Sequence, residues 1–327
     1  MNKIRFAIIG TSNVAKRFLK AASMYEEIEV AALYSRTLER GNKFAGEYGI
    51  PKVYTDVEEL SEAPDIDAVY VASPTYCHAK QATMMLRNKK HVLCEKPIAT
   101  NSQELETMVL IANTNNVIIL EAIRNVFTPG YDVILDNLDK IGQIRRITLN
   151  YCQYSSRYDS FKAGKVLNAF KPELSNGALM DIGVYCVYFL VSLFGMPYGV
   201  TAKGHIIPDS IDSTGTLIGK YTDKQFEIVY SKVTDSFVPS EIQGEDGNIL
   251  FGPVTAPAKI RVIMRNGEKE TIRPEIIKPD MYYEIGYFLR MIRGEISSDK
   301  YNQWSITTMH IMDDARKQMD IAYPADY

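Results

Sequence analysis

The sequence predicts an α/β protein in two parts, a Rossmann doubly wound parallel sheet followed by an α+β domain with a large, mostly antiparallel open sheet. Three observations carry this. Over residues 1–122, short and nearly all-apolar runs alternate with segments of helical period, as strands covered on both faces should. A glycine turn separates the first run from the first helix, where a dinucleotide-binding turn belongs. From residue 144 to 265 the texture changes to longer segments of alternating apolar and polar residues, broken by turn chemistry.

The strand candidates of the first part are "IRFAIIG" (4–10), "VAALY" (30–34), "AVYVA" (68–72), "HVLC" (91–94) and "VIIL" (117–120). Helices fall between them. In the clearest, 102–112, Leu105, Met108, Val109 and Ala112 recur at helical spacing after a capping-box pair, Thr100 and Gln103. Such β-α-β alternation places ligands at the carboxyl ends of the strands. In the second part, "IRRITLNYCQY" and "FEIVYSKVT" alternate, with turns at "TDKQ", "GEDG" and "RNGE". One strongly apolar helix spans about 177–194, and further helices follow at 280–292 and 305–319. The expected domains are 1–122 for dinucleotide binding, 123–304 for substrate binding and oligomerisation, and 305–327 as a closing helix that returns to the first domain.

Composition narrows the function. The 327 residues are 46% apolar, and 37 basic against 40 acidic residues leave a formal charge of −3 with no basic run. Nucleic acid and anionic membrane are therefore poor partners. Cys77, Cys94, Cys152 and Cys186 form neither C-x-x-C pairs nor a zinc spacing, so no metal site or disulfide framework is expected. The longest apolar stretch, "VYCVYFLVSLFG" (184–195), is too short for a bilayer. The chain reads as a cytoplasmic protein in a reducing compartment.

The first turn, "GTSNVA", keeps only the first glycine of the dinucleotide fingerprint, with Ser12 and Ala15 at the second and third positions. Plain α/β architecture produces the same strand, turn and helix. The N–H groups around Gly10, Thr11, Ser12, Asn13 and Val14, with the dipole of the helix that follows, nevertheless suit a pyrophosphate. The second strand ends in "YSRT" instead of the acidic residue that would bond a free ribose 2′-hydroxyl. Ser35 and Arg36 offer a hydroxyl and a guanidinium, which suit a 2′-phosphate and so favour NADP, with NAD possible. A solvated loop arginine is the alternative.

Three further motifs, "SPTYCH" (Ser73 to His78), "CEKP" (Cys94 to Pro97) and "GALMDIGVYCV" (Gly177 to Val187), occur in an order and at intervals that resemble the glucose-fructose oxidoreductase/inositol dehydrogenase (Gfo/Idh/MocA) family. The resemblance covers nearly the whole chain, and "SITTMHIMDDARKQ" (305–318) is similar to the family's closing helix. It implies that Ser73, Pro74, Thr75, His78 and Glu95 lie along the cofactor and that Lys96 is a catalytic lysine beside the nicotinamide ribose, on a Lys-Pro bond that in the family is often cis. It also implies that Asp181 and Tyr185 act on the substrate. On a helix these two share one face, and tyrosine rather than histidine at 185 matches the branch that includes dimeric dihydrodiol dehydrogenase and NADP-dependent xylose dehydrogenase.

The implied reaction is a reversible hydride transfer between nicotinamide and a carbinol carbon of a sugar, polyol or vicinal diol. Tyr185 is the acid/base, Lys96 lowers its pKa, and Asp181 fixes a second hydroxyl. A dinucleotide-binding regulator without turnover is the competing reading of the same fold. Two departures from the family pattern touch the substrate region. "SNG" (Ser175 to Gly177) replaces a glycine run, and Val126 stands where an arginine is common, with Arg124 two positions earlier. The open sheet predicts a homodimer or homotetramer, because its second face needs a cover.

Overall fold

The computed structural model describes residues 3–208 and 210–327. The chain divides into two compact units, Met1–Ile123 with Ile277–Gln303, and Arg124–Ile276 with Trp304–Tyr327.

The first unit holds six strands, β1 (Ile4–Ile9), β2 (Ile28–Tyr34), β3 (Lys52–Tyr54), β4 (Ala68–Val71), β5 (His91–Glu95) and β6 (Ile119–Ala122), in the order β3-β2-β1-β4-β5-β6. All five pairings are parallel. The all-apolar runs become the centre of the sheet, where Phe6, Ala7, Ile8 and the whole of β4 are sealed from solvent. The strand order reverses between β1 and β4, the point where a doubly wound sheet opens a ligand crevice. The three-residue β3 is too short to leave a periodic signal. The helix Ser102–Thr114 takes Asn101, not Thr100, as its N-cap. The Asn101 side chain accepts from the Glu104 N–H at 2.9 Å, and the Glu104 carboxylate reaches back to the Thr100 N–H at 2.9 Å. Two overlapping residue pairs fit the capping-box spacing, and the one with a carboxylate at the third helical position is used.

The helix Met281–Ile292, which the sequence reading placed in the second domain, belongs to the first unit. Tyr282 stacks on Tyr25 at 4.6 Å, Phe288 meets Phe6 at 6.1 Å, and Asp280 pairs with Arg17 at 2.8 Å. The last segment, expected to return to the first domain, groups from Trp304 onward with the second. Gln318 bonds Ala202 N and Val200 O, both at 2.9 Å. Helical periodicity shows that a segment is a helix; it does not choose the partner.

The second unit is built on β7 (Ile144–Cys152), β8 (Gly199–Ile206), β9 (Asp212–Lys220), β10 (Gln225–Ser231), β11 (Ser240–Gly244), β12 (Gly247–Gly252), β13 (Lys259–Met264) and β14 (Lys269–Ile272). The order is β14-β13-β12-β11-β7-β10-β9-β8, antiparallel except for the parallel pair β7 and β10. Alternation does what it predicts: Ile147, Leu149, Phe226, Ile228, Ile242, Ile249 and Phe251 are buried on one face. The apolar helix Val184–Phe194 covers that face, with Phe189 stacked on Phe251 at 5.2 Å. Taken with the turns that precede it, the segment Pro172–Phe194 is long and apolar enough by composition to cross a membrane, yet 78% of its apolar window is buried inside the protein. It is a core helix. On the opposite face Arg146, Thr148, Glu227, Glu241 and Asn248 form a hydrogen-bonded polar layer.

Candidate active site

In the first unit the turn after β1 is shaped by Gly10. Its φ is +116°, and a Cβ there would lie 2.7 Å from the carbonyl oxygen of Ala72, so no other residue fits. The helix Asn13–Ala22 begins with Ser12 as N-cap, without a side-chain cap bond and without an acidic residue in its first turn. The first helical amide to bond backwards is Lys16, to Ser12 O at 3.2 Å. Earlier N–H groups and the dipole thus face outward beside partly or fully exposed Thr11, Ser12, Asn13 and Val14, and these residues fit a dinucleotide pyrophosphate. At the end of β2, Ser35 is buried and Arg36 exposed, so the guanidinium is the group that can meet a phosphate from solvent.

Past β4, Ser73 Oγ donates to Gln81 Oε1 at 2.6 Å, Pro74 opens a short 3₁₀ turn over Thr75–Cys77, and His78 starts the next helix. The His78 ring is buried, with Nδ1 2.9 Å from Pro97 O and Nε2 2.8 Å from Ser73 O. Burial pushes the imidazole pKa down, the two carbonyls push it up by less, and the nearby Lys96 charge lowers it again. His78 therefore stands between two strand-end loops with a ring nitrogen beside a carbonyl of each, and its single N–H in the neutral form donates to one of them.

At the end of β5, the resemblance made Glu95 a cofactor contact. The structure buries its carboxylate on the Tyr70 hydroxyl, and Tyr70 stacks on Phe18 at 3.9 Å. Burial, and after it the Glu95 charge, holds the Tyr70 phenol well above its ordinary pKa. The Lys96–Pro97 bond is cis. Between Val92 and Asn101, Lys96 alone is partly exposed while every neighbour is buried. The turn it stands on is held by Glu121, buried at the end of β6, which accepts the Ile98 N–H at 3.1 Å.

In the second unit, Asp181 and Tyr185 do not sit on one regular α-helix. Leu179–Gly183 forms a π-turn, and the α-helix begins at Val184. Such turns often mark functional sites. Tyr185 is only 5% exposed. Its ring meets the edge of Tyr151 at 5.8 Å and carries the Arg124 guanidinium carbon 5.5 Å from its centroid, a contact that strengthens as a ring gains negative charge. Asn125 Nδ2 donates to Tyr185 O at 2.9 Å. The displaced Arg124 thus still reaches the tyrosine.

Asp181, with its side chain 40% exposed, pairs with Lys232 Nζ at 3.1 Å. Asp212, fully buried, accepts the Leu179 N–H at 2.7 Å at the head of the π-turn, and burial pushes its carboxyl up to about 6. The "SNG" turn is fixed from two sides. A Cβ on Gly177 would lie 2.0 Å from Asp212 Oδ1, and Tyr323 donates to Asn176 O at 2.9 Å. Lys232, Asp212, Asn125 and Glu121 were missed by the sequence reading. No local motif surrounds them, and the signal available was a charged or amide residue inside an apolar run, as in "VIILEAI".

Residues 4–122 match the oxidoreductase family GFO/IDH/MocA with its NAD-binding Rossmann fold, and residues 137–250 match the GFO/IDH/MocA C-terminal domain. The chain is 44% identical over 325 residues to scyllo-inositol 2-dehydrogenase (NADP(+)) IolU of Bacillus subtilis, covering 99% of both. The chain belongs to the GFO/IDH/MocA oxidoreductase family. It is also 30% identical over 337 residues to trans-1,2-dihydrobenzene-1,2-diol dehydrogenase of Xenopus tropicalis, covering 98% of this chain and 99% of that relative. Among solved structures it shares its fold with the 3-ketoreductase KijD10 of Actinomadura kijaniata in complex with NADP and TDP-benzene, at TM-score 0.86 and 22% identity over 98% of this chain and 99% of that one. Membership makes this chain an oxidoreductase with a nicotinamide-dinucleotide domain.

Proposed function

We propose that the protein is an NADP-preferring dehydrogenase of a cyclic polyol, sugar or vicinal diol. The observation that carries this is Lys96, the partly exposed cation in an otherwise buried run, delivered at the carboxyl end of β5 where doubly wound sheets bind ligands. The dinucleotide, when bound, exchanges a hydride with the carbinol carbon. Tyr185 takes the hydroxyl proton in oxidation and returns it in reduction. Lys96 is the cation that brings the phenol toward neutral pH and holds the ribose, and Arg124 over the ring favours the same anion. Asp181 accepts a bond from a second hydroxyl of the substrate, so a vicinal pair is read rather than a lone alcohol. Arg36 selects the 2′-phosphate.

The relatives named for scyllo-inositol and for dihydrobenzenediols support a ring bearing adjacent hydroxyls. A panel of inositols, aldoses and dihydrodiols, each offered with NADP and with NAD and followed by nicotinamide absorbance, tests the reading. Turnover of at least one vicinal diol, faster with NADP, is expected. Tight NADP binding with no turnover across the panel would favour a regulator. We further infer that a second copy of the chain covers the polar face of the eight-stranded sheet, beside Phe237, which is 98% exposed.

A further inference from the structure

Lys232 follows β10 directly, and its backbone is held on both sides: its N–H donates to Ser213 O at 2.9 Å, and its carbonyl accepts from the Ser155 N–H at 2.8 Å. The side chain is 1% exposed. Its ammonium lies 3.1 Å from Asp181 Oδ2, donates to Ala169 O at 3.0 Å, and stands 5.3 Å over the Phe170 ring. A buried ammonium is costly unless it is paired and hydrogen-bonded, so this arrangement is held at an energetic cost. Asp181, at the other end of the pair, keeps 40% of its side chain exposed. What the lysine adds is direction. A carboxylate on a short turn can rotate about its side-chain bonds, and an ammonium fixed by a carbonyl on its other side stops that rotation.

We propose that Lys232 is a positioning residue for substrate recognition, fixing the Asp181 carboxylate toward a polyol hydroxyl and fastening the Ala169–Phe170 segment to the same carboxylate. The recognition of a second hydroxyl then depends on an ion pair that closes 51 residues of chain, from the π-turn to the end of β10. The inference rests on the assignment of Asp181 to a substrate hydroxyl.

Lys232→Met keeps the length and apolar stem of the side chain and removes the ammonium. KM for the polyol should rise about 10- to 100-fold, the range for losing a charge-assisted bond, while kcat and the KM for NADP change less than about threefold. A merely structural lysine would lower the active fraction or the melting temperature and leave KM alone. Asp181→Asn should raise KM by a similar factor, and the double variant should be no worse than Asp181→Asn, because the lysine acts through that carboxylate. A polyol KM within about twofold of the parent in Lys232→Met, or full additivity in the double variant, overturns the inference. An unchanged KM in Asp181→Asn overturns the assignment of Asp181 instead, a distinguishable result. Should Lys232→Met not fold, Lys232→Arg decides: it keeps the charge but not the reach of the ammonium, so a raised polyol KM is expected and a parent-like KM overturns the inference.

Discussion

The dinucleotide turn is made of backbone: a glycine at φ +116°, a row of outward N–H groups and, past β5, a cis peptide at Lys96–Pro97. The substrate-side constellation is made of side chains that reach across the sequence, Asp181 to Lys232, Tyr185 to Arg124 and Tyr151, and Asp212 to the π-turn. A backbone site is local, so most of its side chains can vary while its glycine cannot. A side-chain site is distributed, and each member depends on the others being in place. The two should therefore fail differently.

Tyr185→Phe attacks the distributed site at its reacting atom. It preserves the ring and its packing, so fold and NADP affinity should survive while kcat falls about 10²- to 10⁴-fold. A parent-like rate would remove Tyr185 from the mechanism. The local site has its own weak point: Gly10→Ala, forced into a φ that disfavours a Cβ and against the Ala72 carbonyl, should weaken NADP binding about 100-fold, whereas Ser12→Ala should cost less than about threefold. Equal losses in a fluorescence titration of the two variants would erase the contrast.

Asp212 sharpens the comparison through pH. Its carboxyl is raised by burial from 3.8 to about 6, so ionising it costs more in the folded than in the unfolded chain. Its contribution to stability is greatest below about pH 4 and is lost as pH rises through about 6. Relative to Asp212→Asn, the parent should lose up to about 3 kcal/mol across that window, at roughly 1.4 kcal/mol per pH unit, in urea unfolding at several pH values. A flat difference would show that the carboxyl titrates normally.

Arg36→Ala should cost NADP about 10- to 100-fold in affinity and leave NAD nearly unchanged; equal losses would mean that Arg36 supports the loop and not the phosphate. The smallest effect is expected at the sheet. Phe237→Ser should weaken self-association about tenfold in sedimentation, and a parent that stays monomeric at micromolar concentration would count against the paired sheet altogether.

The same contrast explains what the sequence disclosed. The parallel sheet was legible because the centres of β1, β4 and β5 are buried on both faces and are apolar there. The open sheet was legible because one buried face enforces a period of two. Gly10, Lys96, Asp181 and Tyr185 stand in contiguous motifs. Lys232 stands in "YSKVTD", an unremarkable surface string until β10 pairs with β7 and turns it inward. The π-turn was illegible for another reason. Its sequence, LMDIG, carries no signature of a wider turn, and the groups that hold its head and the turn before it, Asp212 on Leu179 N–H and Tyr323 on Asn176 O, come from distant segments.

That π-turn has a consequence for the way this protein can be altered. A π-turn closes its bonds over five residues rather than four and so holds one residue more than an α-helix of the same course. It behaves as an insertion already absorbed. Deleting Ile182 or Gly183 would return the segment to plain α-helix on the same course, leaving the flanking chain in place but shifting Asp181 by one helical position, roughly 100° about the axis. Asp181 would swing away from Lys232, while Tyr185, on the downstream side, would keep its place. Recognition and proton transfer can thus be put out of phase by removing one residue that takes part in neither.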